Sequence, residues 1–198
     1  MENSTVKDTR IRCGWCKGDP LYEAYHDTQW GVPVYDDQTL FEFLVLETFQ
    51  AGLSWITILR KRENFRAAFD QFNYKKIATY DEAKYESLLQ NPGIIRNKLK
   101  IKATITNAQH FIKIQKEFGS FSKYIWDFVD DKPIQNKVKH YKDAAATSTI
   151  SDALSKDLKK RGFKFVGSTV IYAHMQATGM VNDHQMDCFR YKEVQKLI

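Results

Sequence analysis

The class of fold is decided by residues 37–51, which read Asp37-Gln-Thr-Leu-Phe-Glu-Phe-Leu-Val-Leu-Glu-Thr-Phe-Gln-Ala51. Asp36 or Asp37 can cap the start of a helix here, and Gly52 can end it. Residues 131–149 are largely polar and are expected to form a long connection. No alternating strand pattern occurs, so the sequence predicts an all-α fold. Further helices are expected at 54–69, 81–90, 97–118, 120–128, 151–162 and 168–179.

Length and composition exclude several classes of protein. The 198 residues are expected to form one helical domain over 1–198, with 1–11 as a flexible tail. The content of 43% hydrophobic and 14% aromatic residues excludes a disordered chain. No apolar run reaches the roughly 18 residues that a membrane span requires, and the polar N-terminus lacks the apolar core of a signal peptide. We therefore expect a cytoplasmic monomer with no membrane partner.

The net charge of +6 and the pI of about 9.1 favour a polyanionic partner, and nucleic acid is the first candidate. Charge alone does not decide this, because many basic proteins bind nothing anionic. The basic residues are clustered at or near the ends of predicted helices, in the segments 60–62, 96–102 and 156–164. This clustering favours nucleic acid over a diffuse basic surface.

A metal-like pattern of cysteine and histidine joins the two ends of the chain. Its candidates are Cys13, Cys16, His26, His184 and Cys188. The last two are four residues apart, which places them on one face of a helical turn. Zinc takes thiolate and imidazole ligands in tetrahedral geometry, so five candidates compete for four positions. The pair at 13 and 16 could instead be a redox pair or two unrelated thiols.

A carboxylate occupies an apolar stripe of the helix predicted at 37–51. Glu47 follows Phe43 by four residues and Leu44 by three, so it shares the face that is expected to point inward. Burying an unpaired carboxylate is costly, which favours a pocket acid that awaits a cationic ligand. A partly exposed glutamate, or one paired with arginine, is the alternative. Aromatic residues, which are core formers but also stack on flat bases, occur before and after it: Trp15, Tyr22, Tyr25, Trp30 and Trp55.

A tight turn separates two predicted helices at residues 91–98, Asn91-Pro-Gly-Ile-Ile-Arg-Asn-Lys98. Such a turn makes a helix-hairpin-helix candidate, because its amides and the following helix N-terminus can hold a phosphate. An ordinary helix–helix connection is the alternative. Lysines at 98, 100 and 102 favour DNA, and Lys98 and Lys100 are interpreted as phosphate contacts.

Several motifs in one order resemble the type I (constitutive) DNA-3-methyladenine glycosylase family. The resemblance extends from about Arg12 to Cys188. The motifs that carry it are Cys13-Gly-Trp15, Tyr25-His26-Asp27, Trp30-Gly-Val-Pro33, Gln50-Ala-Gly-Leu-Ser-Trp55, Lys61-Arg-Glu-Asn64, Gly93-Ile-Ile-Arg96, Ser151-Asp-Ala-Leu-Ser155, Lys159-Lys-Arg-Gly-Phe-Lys-Phe-Val-Gly167 and Val181-Asn-Asp-His184.

The resemblance implies a helix-hairpin-helix glycosylase-like bundle with a zinc clasp that joins the N- and C-terminal segments. One structural Zn²⁺ per chain would have the ligands Cys13, His26, His184 and Cys188. The implied catalytic residues are Glu47 and Tyr25. The implied base pocket contains both of these and Trp55, with Trp15, Tyr22 and Trp30 nearby. The implied DNA contacts are Gly52 and Leu53, at the gap left by an extruded nucleotide, together with Gly93, Arg96 and Lys98.

The function implied by the resemblance is excision of 3-methyladenine from double-stranded DNA, with the free base as product. Aspartate is absent between Asp81 and Asp127, where many helix-hairpin-helix glycosylases have a catalytic one, so a monofunctional hydrolase is expected. A non-catalytic module that binds damaged DNA or damaged base is the alternative. The chain departs from the family pattern at Phe49, where the family has a polar Gln, and in the tail after Cys188.

Overall fold

The structure is a computed structural model that describes residues 9–197. The expected tail at 1–11 therefore lies mostly outside the described residues. The described part is mostly helical, as the sequence predicts. Its helices are α1 (Pro20–Thr28), α2 (Asp37–Gln50), α3 (Trp55–Ala68), α4 (Tyr74–Ile77), α5 (Glu82–Gln90), α6 (Lys98–Phe118), α7 (Phe121–Trp126), α8 (Thr149–Lys160), α9 (Ser168–Ala177) and α10 (Phe189–Val194). No helix among these residues is both long enough and apolar enough to cross a membrane.

Helix α2 lies at the centre of the fold. Every residue from Leu40 to Phe49 is buried, because α3, α6, α7 and α9 all pack against it. The Asp36 carboxylate accepts the Thr39 N–H at 2.8 Å and so caps the helix start. Asp37 has a different role, since its carboxylate accepts the first N–H groups of α7, at Phe121 and Ser122. A residue at the start of α2 thus satisfies the free N–H groups at the start of α7.

Most predicted helix starts are confirmed, and one is shifted. Asp81, Asn97 and Ser120 each accept a backbone N–H from the turn that they cap. Helix α8 begins earlier than predicted, because Ser148 is its cap and Ser151 is the reciprocal member of a capping box. Helix α9 begins at Ser168 as predicted, and its cap Gly167 has no side-chain hydrogen bond to offer.

The segment predicted as a long connection contains a short strand. Strand β1 (Ile134–Gln135) pairs in parallel with β2 (Val181–Asn182), in the register Ile134 to Val181 and Gln135 to Asn182. Two strands of two residues each are too short to be predicted from an alternating pattern. This pairing holds the segment against the residues that precede His184, and thus near the candidate metal ligands.

The turn between α5 and α6 is held from two sides. The Asn91 side chain accepts the Gly93 N–H at 2.8 Å. Lys61 of α3 donates from Nζ to the Gly93 carbonyl at 3.2 Å. Asn97 then caps α6. The turn is therefore fixed by side chains and not only by its own backbone.

Candidate functional site

A cavity of about 230 Å³ lies where α1, α2 and α3 meet. Glu47 of α2 lines it, and so do five aromatic residues: Trp15, Tyr22, Tyr25, Trp30 and Trp55. Helix α1 supplies both tyrosines, and its cap Asp19, followed by Pro20 at the first position, fixes where that helix begins. Trp55 is the first residue of α3. The structure thus brings together all six residues named for the base pocket.

Glu47 is buried and lacks a partner. It is 4% exposed, and its Oε2 makes no hydrogen bond within residues 9–197. Arg62 and Arg66 point to another carboxylate of α2, since both form ion pairs with Glu42. Burial raises the pKa of Glu47 to about 8, because a charge is poorly solvated there. The empty pocket therefore holds a carboxyl that keeps its proton at neutral pH.

The aromatic residues form walls with polar edges. The ring centroids of Tyr25 and Trp55 are 5.4 Å apart, and those of Trp15 and Trp30 are 4.9 Å apart and edge-on. The indole Nε1 of Trp55 is buried and has no hydrogen-bond acceptor in the described part of the chain. Burial, followed by the neighbouring Glu47, raises the pKa of Tyr25 well above its usual value. Its phenol is therefore a neutral hydrogen-bond donor, and the pocket presents flat faces with unsatisfied polar atoms.

The cavity is also lined by residues that the sequence analysis did not select. Gln176 of α9 donates from Nε2 to Asp183 at 2.7 Å, and both line the wall. Asp183 also accepts from Asn136 at 2.6 Å and from the Tyr172 hydroxyl at 2.9 Å. Asp183 could have been selected from the sequence, because it belongs to the family motif Val181–His184. Tyr141, which also lines the cavity, carried none.

The Cys/His candidates resolve into a cluster of four. Ligand atoms of Cys13, His26, His184 and Cys188 all lie within 4.8 Å of one another, and all four residues are buried. His26 Nε2 is 3.4 Å from the Cys188 sulfur, and His184 Nδ1 is 3.6 Å from the Cys13 sulfur. The edges of a tetrahedron of sulfur and nitrogen around zinc measure about 3.5 Å, so the cluster fits such an ion.

Both histidines are oriented by hydrogen bonds at their second ring nitrogen. His26 Nδ1 is 2.8 Å from Asp27, and Asp27 in turn accepts from Arg12 at 2.7 Å. His184 Nε2 is 3.0 Å from the Trp30 carbonyl. Such outer contacts are typical of metal-bound imidazoles. Trp30 also lines the pocket, so the cluster and the pocket share a structural element.

Cys16 lies outside this cluster. It is buried, and its Sγ lies 3.2 Å from the Cys13 carbonyl oxygen, to which it donates. Cys13 and Cys16 are both free thiols in the structure, and only Cys13 belongs to the cluster. Phe49, where the sequence departs from the family pattern, does not line the pocket. It packs against Phe65 at 4.8 Å in the core, so the departure leaves the pocket wall unchanged.

The residues expected to contact DNA lie on two exposed turns. Gly52, at φ +87°, and Leu53, which is 42% exposed, follow the pocket residue Gln50. Arg96 and Lys98 are exposed beside the half-buried Gly93, on the turn between α5 and α6.

The interpretation of Lys100 as a phosphate contact is wrong. Lys100 is 6% exposed, and its ammonium group donates to the carbonyls of Phe49 and Ala51. It is therefore buried against the end of α2, whereas Lys98, two residues earlier, is exposed.

Comparison with known proteins gives consistent matches over nearly the whole chain. A profile of the methyladenine glycosylase family matches residues 15–191, which contain every pocket-lining residue. DNA-3-methyladenine glycosylase 1 of Escherichia coli is 49% identical over 180 residues, covering 91% of this chain and 96% of that protein.

Solved structures agree with the sequence matches. A crystal structure of 3-methyladenine DNA glycosylase I superposes with a TM-score of 0.88 at 51% identity, covering 90% of this chain and 98% of the other. A second structure, of the Staphylococcus aureus 3-methyladenine DNA glycosylase I, concerns its recognition of 3-methyladenine. It superposes with a TM-score of 0.87 at 38% identity, covering 90% of this chain and 95% of the other.

Proposed function

This chain belongs to the methyladenine glycosylase family, and we propose that it excises 3-methyladenine from double-stranded DNA as a monofunctional enzyme. It is a DNA-3-methyladenine glycosylase, a hydrolase that acts on the N-glycosidic bond. The observation that carries the mechanism is the buried, unpartnered Glu47 among aromatic rings.

Glu47 is proposed to select the positive charge of the damaged base. Methylation at N3 makes the nucleobase cationic, and a cation beside a buried carboxyl lowers its pKa by Coulombic attraction. The pKa of about 8 in the empty pocket means that the acid enters the reaction protonated at neutral pH. Entry of the cation would release that proton to solvent. The resulting carboxylate would then stabilise the bound base and accept hydrogen bonds from it.

The rings are proposed to hold the base in place. Tyr25 and Trp55 stack on it or cap it, with Trp15, Tyr22 and Trp30 completing the wall. The unsatisfied Nε1 of Trp55 and the neutral phenol of Tyr25 offer donors to its ring nitrogens. A cation between aromatic faces gains a further attraction that a neutral adenine lacks.

The reaction requires that the nucleotide leave the base stack, because its glycosidic bond is inaccessible within the duplex. The cationic base is already a good leaving group, so little acid catalysis is needed. Water is the proposed nucleophile. It adds to the sugar carbon as the bond to the base breaks and loses a proton, and the bond's electron pair leaves with the base. The products are free 3-methyladenine and an abasic site in an uncut strand.

The contacts to DNA are proposed to come from the two exposed turns. Gly52 and Leu53 would enter the gap left by the extruded nucleotide. Gly93, Arg96 and Lys98 would hold the phosphate backbone, as a helix-hairpin-helix turn does. Support comes from the exposure of Leu53, Arg96 and Lys98. A cytoplasmic, monomeric protein is part of the same proposal.

The four-residue Cys/His cluster is proposed to hold one structural zinc ion. Two thiolates and two imidazoles are a donor set that zinc favours, and with four protein ligands no position remains for a substrate. The ion would join Cys13, before α1, and His26, within α1, to the segment before α10 that contains His184 and Cys188. Together with the continuous hydrophobic core, this supports a single domain over 1–198.

The proposed activity predicts release of free base from methylated duplex DNA without a strand break. The duplex is incubated with the protein, the free 3-methyladenine is measured by chromatography, and the strand is examined before and after hot alkali. We expect nicks only after alkali. Nicks without alkali would contradict the monofunctional mechanism. Tight binding of the duplex without base release would favour a non-catalytic binding module.

A further inference from the structure

Lys100 is a buried cation that none of the steps above uses. Its Nζ donates to the Phe49 carbonyl at 3.0 Å and to the Ala51 carbonyl at 2.7 Å. Among the described residues it forms no ion pair, so these carbonyls are what compensates the burial of its charge. A lysine that merely filled space would not require a charge at this place.

The two carbonyls belong to the end of α2, where backbone acceptors lack partners within the helix. Helix α2 has no basic residue in its own last turn. The Gln50 carbonyl, between the other two, accepts the Leu53 N–H at 2.6 Å. The three consecutive carbonyls at 49, 50 and 51 are thus satisfied by Lys100 and by the turn itself. A cation at a helix C-terminus is also favoured by the helix dipole.

The turn that follows lies at the protein surface. Residues 51–54 are all exposed, and a Cβ placed on Gly52 would meet no atom within 4 Å. Leu53 is 42% exposed at the tip, three residues after the pocket residue Gln50. An exposed apolar side chain at this place suits a wedge between bases. A wedge must be held firmly, and the Ala51 carbonyl is where the turn is held.

Lys100 also belongs to the first turn of α6, since its backbone N–H donates to the cap Asn97 at 3.1 Å. The residues just before it form the turn proposed to grip the phosphate backbone. One side chain therefore connects the backbone-gripping element to the wedge-bearing turn.

We propose that Lys100 is a positioning residue for base extrusion, which holds the turn of residues 51–54 so that Leu53 can enter the duplex. This inference rests on the proposed function. It deepens that function by separating two tasks: Glu47 and the rings recognise the base, and Lys100 sets the shape of the element that takes the place of the base. A direct electrostatic effect of Lys100 on Glu47 is not required, since burial alone accounts for the raised pKa of Glu47.

The test compares duplex with single-stranded substrate. Lys100→Met keeps the length of the side chain and removes its charge and donors. We expect it to slow single-turnover excision from methylated duplex about 10- to 100-fold, and excision from methylated single strands by less than about threefold, because only the duplex requires extrusion. Lys116→Met is the matched control at an exposed lysine in the last turn of the same helix, α6. It should change neither the duplex rate nor the single-strand rate.

A fluorescence readout measures extrusion without chemistry. The duplex contains 2-aminopurine beside an uncleavable carbocyclic analogue of N3-methyldeoxyadenosine, and unstacking raises the fluorescence. We expect a rise with the wild type and a much smaller one with Lys100→Met. The double variant with Leu53→Ala should excise no more slowly than Leu53→Ala alone, because both substitutions disable one device.

Each outcome decides between the two proposals. The role of Lys100 would be overturned if the fluorescence rose equally with the wild type and with Lys100→Met. It would also be overturned if the two substitutions slowed excision independently in the double variant, or if the fluorescence did not rise with the wild type. Unstacking by the wild type without release of base from methylated DNA would overturn the proposed function alone. If circular dichroism shows that Lys100→Met does not fold, Gly52→Ala strains the same turn from the solvent side and should show the same selective loss. A rise in fluorescence with Gly52→Ala that equals the rise with the wild type would then overturn the proposal.

Discussion

Replacing Glu47 with glutamine is expected to slow release of 3-methyladenine from methylated duplex DNA by roughly 10²- to 10³-fold in single-turnover assays. Glutamine keeps the shape of the side chain but cannot become negative when the cationic base enters. The charge stabilisation that the closed, aromatic pocket would provide is therefore lost. The wild-type rate in the Glu47→Gln protein would remove the pocket acid from the mechanism.

The free energy of unfolding of the Glu47→Gln variant distinguishes a loss of activity from misfolding. Burial raises the pKa of Glu47 from 4.5 to about 8, so the folded chain holds this proton more tightly than the unfolded chain does. The stabilising effect of the protonated carboxyl is full below about pH 4.5 and is lost as the pH rises to about 8. Glutamine does not ionise. The Glu47→Gln variant should therefore gain stability relative to wild type over this range, on the order of 5 kcal/mol by about pH 8.

Glu42 offers a matched control within the same helix. It is also a buried glutamate of α2, but it forms ion pairs with Arg62 and Arg66. Glu42→Gln leaves two arginines without their carboxylate and is expected to lower stability, with only a small effect on the excision rate. The two glutamine variants should thus change stability in opposite directions, and only one should abolish selection of the cationic base.

Replacing Cys188 with serine is expected to abolish zinc binding at the proposed site and to lower the free energy of unfolding by at least about 3 kcal/mol. The Cys188 sulfur lies 3.4 Å from His26 and 3.7 Å from His184, so it is shared by both imidazoles of the cluster. Metal analysis of the purified protein and thermal unfolding, each with and without a chelator, measure the two effects. The chelator should lower the melting temperature of the wild type only.

Cys16→Ser is the control for the metal site. Cys16 is as deeply buried as Cys13, but its sulfur donates to a backbone carbonyl and does not belong to the cluster. The variant should keep about one zinc per chain. Zinc retained in Cys188→Ser, or lost in Cys16→Ser, would contradict the ligand set.

Helix positions could largely be predicted from local signals, and the failures have local explanations too. Ser148 and Ser151 are both good caps, and their reciprocal hydrogen bonds make each a plausible start, so the sequence did not decide between them. Helix α1 was missed although Asp19 and Pro20 are a cap and a first-turn residue. The strands β1 and β2 could not be predicted, because two residues are too few for an alternating pattern.

The residues of the candidate site were also predictable only in part. Glu47 could be selected because it occupies the inward face of an apolar helix. Asp183 and Gln176 could not be paired, since their contact depends on the path of the chain from α9 through β2. Lys98 and Lys100 look alike in the sequence. Only the docking of α6 against the end of α2 makes one a surface charge and the other a buried donor.

The central claim is that a buried, protonated carboxyl becomes charged when the cationic base enters its pocket. Carbon-13 NMR of the Glu47 carboxyl, titrated with and without the uncleavable N3-methyldeoxyadenosine analogue, observes this directly. We predict a titration near pH 8 in the free protein, and an ionised carboxyl at pH 7 in the complex. Titration near the ordinary value of 4.5 in the free protein, or a carboxyl that keeps its proton in the complex, would contradict the claim.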